Sequence, residues 1–342
     1  VPLRVYSPAD FDRLRAFALT LGRHSALGHR SFVDHYYANN EWCRLFVFEE
    51  PSGEIVGSLG LDLMRFTSRS GERVLGFGSN FNAKPGIGGV LYLAWMRSCP
   101  AGLVFGGSPE AHALYKREGW TYFSGVKTFV LNRPYDASPG EGVLRRGAKR
   151  LLRRLRRSPI PRRAARIPDT VRRDLRVEET AWSADLLPGD PGVFSLRFAP
   201  ALGYLTWRYG LGLPFVRYRL FRITRSGEQV GYVVLNDSPT RILVSHCDGT
   251  DPRTLAWGIL LALLEVARGD MVPRTVQLSS SHPGMQEVFL SFGFRPEGAE
   301  RPLAVGAKGG VVDLERDTSK WLVSYDWGDN GLRHPFRDEG AG

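Results

Sequence analysis

Cysteine is scarce in this 342-residue chain: only Cys43, Cys99 and Cys247, odd in number and far apart. They build neither a disulfide framework nor a paired-cysteine metal motif, and they suit a reducing compartment. Lysine is nearly as rare, six among 46 basic residues, so positive charge is carried by arginine. No apolar run approaches the roughly 20 residues that cross a bilayer. The N-terminal stretch V-P-L-R-V-Y-S-P-A-D-F has no apolar leader, and a cytoplasmic location is expected. What remains is ordinary for a globular protein, 43% hydrophobic and 24% charged. That length and composition can fill two hydrophobic cores.

The net charge of +11 is concentrated in one place. Residues 144–173 carry 13 of the basic residues and one acid, Asp169, whereas the rest of the chain is close to neutral. Within this strap Leu144, Ala148, Leu151, Leu152 and Leu155 recur at helical spacing, giving an arginine-coated helix with one apolar stripe. Pro159 and Pro161 end it. Such a helix can dock on its own protein, or lie on an anionic membrane surface through residues 144–166 and place the protein at the inner membrane face. A nucleic-acid contact is disfavoured, because the strap lacks aromatics that stack on bases.

Read in order, helical patterns around Phe11–Leu21 and Phe32–Tyr37 precede three hairpin-linked strands near 44–49, 55–66 and 73–81. Then N-A-K-P-G-I-G-G opens an apolar helix. Gly86, Ile87, Gly88 and Gly89 let backbone N–H groups approach an anion at a helix start. The apolar strand Gly102–Phe105 follows, and after it S-P-E-A-H-A-L-Y-K-R-E-G-W, residues 108–120. Ser108 caps a helix, Pro109 suits its first position, and Gly119 stops it. Tyr115 therefore lies on a short helix just past the carboxyl end of a strand, where open α/β sheets place ligands.

The A-x-x-L-Y-x-x-x-G-W pattern resembles a signature of the GCN5-related N-acetyltransferases, with Ser108 in place of asparagine and Trp120 in place of phenylalanine. The glycine loop stands where that family holds the pyrophosphate of coenzyme A. Gly86 and Gly88 match, but Ala83 occupies a position usually Gln or Arg, with Lys84 beside it. The resemblance implies acetyl-CoA as acyl donor, no metal, and Tyr115 as the acid that protonates the departing thiolate. It implies Asn82, Lys84, Gly86, Ile87, Gly88 and Gly89 as the donor-binding set. Asn80 and Asn82 at the strand end are candidates to position acceptor or water, and no general base is evident.

The chain also repeats itself. R-L-F, S-G-E and V-G coincide between residues 44–57 and 219–231, and Ser108-Pro109 to Gly119-Trp120 parallels His282-Pro283 to Gly293-Phe294. The second copy lacks the glycine loop and has Phe289 opposite Tyr115, but it brings His246, Asp248 and His282 to strand ends. These three are expected to line one cleft as a general base or a hydroxyl-binding set. Trp207-Arg208-Tyr209 and the terminal Lys320–Asp329 stretch resemble segments of tandem acyltransferase-fold proteins of bacterial polysaccharide gene clusters.

The expectation is an α/β (α+β) chain of two tandem acyl-CoA N-acyltransferase-type domains, each a mixed, mostly antiparallel sheet flanked by helices. Residues 1–135 form the first, 136–175 the basic helix and linker, and 176–342 a degenerate second. The expected activity is acyl-CoA-dependent N- or O-acyl transfer to an amino sugar or glycan precursor. Two alternatives stay open: an aminoacyl transferase of the peptidoglycan-bridge type, and a glycan-binding protein without catalysis.

Overall fold

In the computed structural model all residues are described except 1, 22–24, 39, 134–146, 149–150, 152–157, 189–191, 299–300, 308–313 and 328–342. The first half of the chain runs β1 (Leu3–Val5), α1 (Phe11–Thr20), α2 (Arg30–Tyr37), β2 (Cys43–Glu49), β3 (Ile55–Ser68) and β4 (Gly71–Ala83). It continues through α3 (Gly88–Ser98), β5 (Ala101–Phe105), α4 (Pro109–Arg117), β6 (Thr121–Phe123) and β7 (Lys127–Leu131). The second half begins with α5 (Asp169–Asp174), β8 (Leu175–Glu179), β9 (Leu196–Phe198), α6 (Leu202–Arg208), β10 (Tyr218–Arg225), β11 (Glu228–Asp237) and β12 (Arg241–Gly249). It ends with α7 (Pro252–Val266), β13 (Thr275–Ser280), α8 (Pro283–Phe292), β14 (Arg295–Pro296), β15 (Leu303–Ala307) and β16 (Trp321–Leu322).

The repeat seen in the sequence is a repeat of topology. The meander β2–β3–β4 corresponds to β10–β11–β12, α3 to α7, β5 to β13 and α4 to α8. One sheet has the order β1-β2-β3-β4-β5-β15-β6, the other β14-β7-β13-β12-β11-β10-β8. Both are mixed and mostly antiparallel; β4–β5 and β12–β13 are parallel, and the first sheet also carries β9 antiparallel to β3 and β16 parallel to β9. Helices flank both.

Each sheet is closed by a strand from the other half. β7 follows β6 in the chain but inserts between β13 and β14. β15 inserts between β5 and β6. The small residues of β15 matter here. Gly306 pairs with Gly102 across the β15–β5 ladder, and the Trp120 indole lies against both. A side-chain carbon on Gly102 would stand 2.6 Å from the ring. Trp120 is fixed in turn by its Nε1, which donates to Tyr92 Oη at 3.0 Å.

The two cores are built from different layers. The second sheet packs Phe221, Val233, Leu235, Val244 and Leu278 against α7 and α8. The first buries Leu59, Leu61, Trp95, Tyr115 and Trp120 on its α3–α4 face. Burial of such side chains stabilises by about 1.5–3 kcal/mol each.

The end of the basic strap docks on the second half. Ile160 is fully buried in that core. An Arg166 Nη donates to the carbonyl of Phe292 at 2.9 Å, at the C-terminus of α8, where the helix dipole favours a cation. An Arg163 Nη reaches Asn132 Oδ1 at 3.3 Å. Leu151, earlier in the strap, is 61% exposed. Leu144, Leu152, Leu155 and the arginines between 152 and 157 lie outside the described residues.

Candidate functional site

β4 and β5 pair only at Gly76–Gly102 and Phe77–Leu103. Beyond that point no ladder joins them, and the sheet opens toward their carboxyl ends. The β3–β4 register shifts here: Ser58 faces Asn82 and Gly60 faces Ser79, so Leu59 alone opposes Asn80 and Phe81. This is a β-bulge. Asn80 takes a left-handed φ of 47°, which asparagine tolerates better than most residues. Its carbonyl accepts from Ser58 Oγ at 2.9 Å. A trans peptide points C=O and the following N–H in opposite directions, and no peptide bond among the described residues is cis. The Phe81 N–H of that peptide therefore points away from the Ser58 hydroxyl.

The glycine loop borders the same opening. It leaves the end of β4 and enters α3 at Gly88, with Ile87 as N-cap. Gly86 has φ +89°, and side-chain carbons on Gly86 or Gly89 would meet nothing within 4 Å. The first turn of α3 presents N–H groups without intrahelical partners. Space, donors and dipole fit an anionic group such as a pyrophosphate. Lys84 is placed differently from its expected role: its ammonium lies 3.3 Å from Glu54 and 3.7 Å from Glu50, so two carboxylates already neutralise it.

On the other side, β5 ends in Gly106 and Gly107, and α4 begins. Ser108 caps it through a hydrogen bond from the Ala111 N–H at 3.3 Å. Tyr115 is 2% exposed, and its ring stacks on Trp120 with centroids 4.6 Å apart. Burial raises its phenol far above the usual range, with Tyr122 and Tyr92 adding to the effect. Sequence reasoning missed His112. Its two ring nitrogens lie 2.9 Å from Tyr122 Oη and 3.0 Å from the Gly106 carbonyl, and burial lowers its pKa. Both nitrogens are engaged, so the residue ties α4 to β6 and the β5 end.

The second half repeats the opening and then fills it. β12 and β13 pair only over Arg241–Leu243 and Thr275–Gln277. The turn Tyr325–Trp327 packs against both strands. Ser281 Oγ donates to the Trp321 carbonyl at 2.9 Å, fastening the terminal segment beside β13. His246, Asp248 and His282 consequently do not line an open cleft. His246 is 0% exposed, with Nε2 2.9 Å from Tyr232 Oη and Nδ1 3.2 Å from Asp326, a close approach without hydrogen-bond alignment. Asp248 is buried and paired with Arg197 at 3.0 Å. His282 caps α8, its Nδ1 accepting from the Gly284 N–H at 3.1 Å. The ladder also sets Asp248 level with Asn82, through Tyr232 and Ser58.

A buried polar cluster joins the halves. Arg208 of α6 pairs with Asp62 of β3, and both are essentially inaccessible. Tyr204 donates to the same carboxylate at 2.8 Å. The Arg208 Nε donates to Tyr209 Oη at 3.2 Å, and that hydroxyl donates to Asp326. Burial raises the Asp62 carboxyl despite the pull of Arg208. Asp326 is held low: His246 and Arg208 outweigh its burial. Asp62 escaped sequence reasoning, although a lone acid inside an apolar strand signals a buried partner. Among the described residues no cluster of side chains could hold a metal ion, and no helix is long and apolar enough to cross a membrane.

Two parallel strands that part after two residue pairs, a bulge on one, and helix starts at both ends define a known architecture. Residues superimpose with a tandem GNAT protein from the clavulanic acid biosynthesis pathway over 91% of this chain and 99% of that one, at 15% identity and a TM-score of 0.55. The fold is that of a tandem GCN5-related N-acetyltransferase. A putative acetyltransferase from Pyrococcus horikoshii shares this fold over 94% of both chains, at 14% identity and a TM-score of 0.52. A GCN5-related glucosamine N-acetyltransferase region of a fungal multi-domain beta-N-acetylglucosaminidase aligns over 89% of this chain and 38% of that one, with 10% identity and a TM-score of 0.55. No protein-family model and no curated protein sequence matches the chain. On this acetyltransferase fold the first unit keeps its opening, and the second holds its own chain there.

Proposed function

We propose that the protein is an acyl-CoA-dependent N-acetyltransferase whose single working site is the β4–β5 opening of the first unit. The observation that carries this reading is the convergence on that opening of the Asn80–Phe81 bulge and the glycine-loop start of α3. Acetyl-CoA supplies the thioester whose carbonyl carbon the acceptor attacks. The Gly86–Gly89 backbone holds the pyrophosphate, with Asn82 beside it. The Phe81 N–H donates to the thioester oxygen as negative charge grows there. Tyr115, kept protonated by its burial, gives its proton to the departing sulfur. Asn82, at the end of β4, is placed to hold the acceptor or a water; the proton that the acceptor nitrogen loses passes to water, and Tyr115 regains its own proton from solvent after the thiol leaves.

The acceptor we favour is an amino sugar or a glycan precursor. The likeness to a glucosamine N-acetyltransferase region supports that choice.

Calorimetry with acetyl-CoA tests the reading first, followed by thiol release with a panel of amino sugars. One binding event per chain and amine-dependent thiol release are expected. Absence of binding would turn the assignment to a non-catalytic glycan-binding protein.

A further inference from the structure

The Asn80–Phe81 bulge is held from two sides by buried hydroxyl groups. We infer that Tyr37 and Ser58 are positioning residues that aim the Phe81 N–H at the acyl carbonyl, an inference that rests on the proposed acyl transfer. Tyr37 reaches the bulge from α2, 43 residues before Asn80 in sequence. Its hydroxyl accepts from Asn80 Nδ2 at 2.7 Å and lies 3.2 Å from Ser79 Oγ. It is buried, and a side-chain carbon on Gly60 would stand 2.7 Å from its oxygen. The glycine at position 60 thus makes room for the phenol to reach β4.

Ser58, fully buried on β3, takes the other end of the same residue through the Asn80 carbonyl. One clamp fixes the Asn80 side chain and the other fixes its carbonyl. Together they leave the 80–81 peptide plane a single orientation, and the Phe81 N–H inherits it. Preorganisation of this kind lowers the barrier because the donor need not reorient as charge develops.

The test uses the full chain with acetyl-CoA carrying carbon-13 at the carbonyl, and reads the carbonyl stretch of the bound thioester by difference infrared spectroscopy. In the parent the band should be narrowed and shifted to lower frequency than for the free thioester. Tyr37→Phe keeps the ring and removes the acceptor. The band should broaden and move toward its free position, with acetyl-CoA affinity within about threefold of the parent and turnover lowered on the order of tenfold, less than loss of a whole donor would cost. Asn80→Gly serves as the second variant, because glycine accepts the left-handed backbone but offers no amide to Tyr37. It should reproduce the spectral change even where Tyr37→Phe weakens folding. An unchanged band and turnover in both variants, with binding intact, overturns the clamp and leaves the acyl-transfer reading standing. A parent chain that binds no acetyl-CoA overturns both.

Discussion

The Trp120 indole rests on the backbone of Gly306, a residue of the strand that the second half lends to the first sheet. Any side chain at 306 would enter the ring. Gly306→Val should therefore displace Trp120, its bond to Tyr92 and its stack with Tyr115. A loss of about 1–3 kcal/mol is expected, the usual cost of overpacking, measurable by urea denaturation. Acetyl-CoA affinity should fall with it, although Gly306 is far from the glycine loop in sequence.

Strand exchange gives the halves a shared fate. Without β15, β5 and β6 have no partner between them; without β7, β13 and β14 lose theirs. Residues 1–158 and 159–342 produced separately should each be poorly folded and prone to aggregate through open strand edges. Co-expression should restore a soluble pair with the circular dichroism of the intact chain. Two independently stable halves would contradict the exchange.

The Asp62–Arg208 pair makes a sharper energetic prediction. Removing one partner strands a buried charge, so Arg208→Met should cost about 3–5 kcal/mol. Asp62→Leu alone should be similarly harmful. The double variant should be less destabilised than the sum, because two apolar side chains can replace a buried pair at little cost. A double-mutant cycle by chemical denaturation reads the difference directly.

Local chemistry was legible in the sequence, and long-range partnership was not. The helix Pro109–Arg117 and its glycine stop were readable because cap, first-turn proline and terminator lie within a dozen residues. The duplication was readable because both copies keep R-L-F and V-G on matching strands and S-G-E at the hairpin that joins them. By contrast, Lys127–Leu131 reads as a strand whichever sheet receives it, so its exchange left no local mark. The same holds for Tyr325–Trp327, an aromatic segment whose place between β12 and β13 is set by the whole fold. His246 and Asp248 were singled out for being polar at strand ends; the sequence could not show that Asp326 and Arg197 had already claimed them.

Filling the glycine loop should separate binding from folding. A side-chain carbon on Gly88 meets only Phe81, at 3.9 Å, and an acid suits a helix start. Gly88→Glu should thus fold with an unchanged melting temperature. It would also set a carboxylate where the pyrophosphate is proposed to lie, and acetyl-CoA binding by calorimetry should disappear. The parent should bind one equivalent, since Tyr325–Trp327 fills the second opening. Two equivalents per chain would require that segment to leave.

Tyr115 carries the most exposed part of the chemistry. Tyr115→Phe preserves the stack on Trp120 and should change stability little. It removes the proton proposed for the departing thiolate, which titrates near pKa 8.5 and leaves tolerably without help. Turnover should fall about a hundredfold, at the lower end for a positioned acid, with acetyl-CoA affinity nearly unchanged. The pH dependence follows from the raised phenol pKa. A group titrating above its ordinary value of about 10 stays protonated throughout the neutral range, so the parent rate should show no loss of acid between pH 7 and about pH 10. The parent and Tyr115→Phe profiles should run parallel across that window, displaced by a constant factor. A limb near neutral pH that vanishes in Tyr115→Phe would mean the phenol ionises during turnover, as a base would, and its role as the acid would be withdrawn.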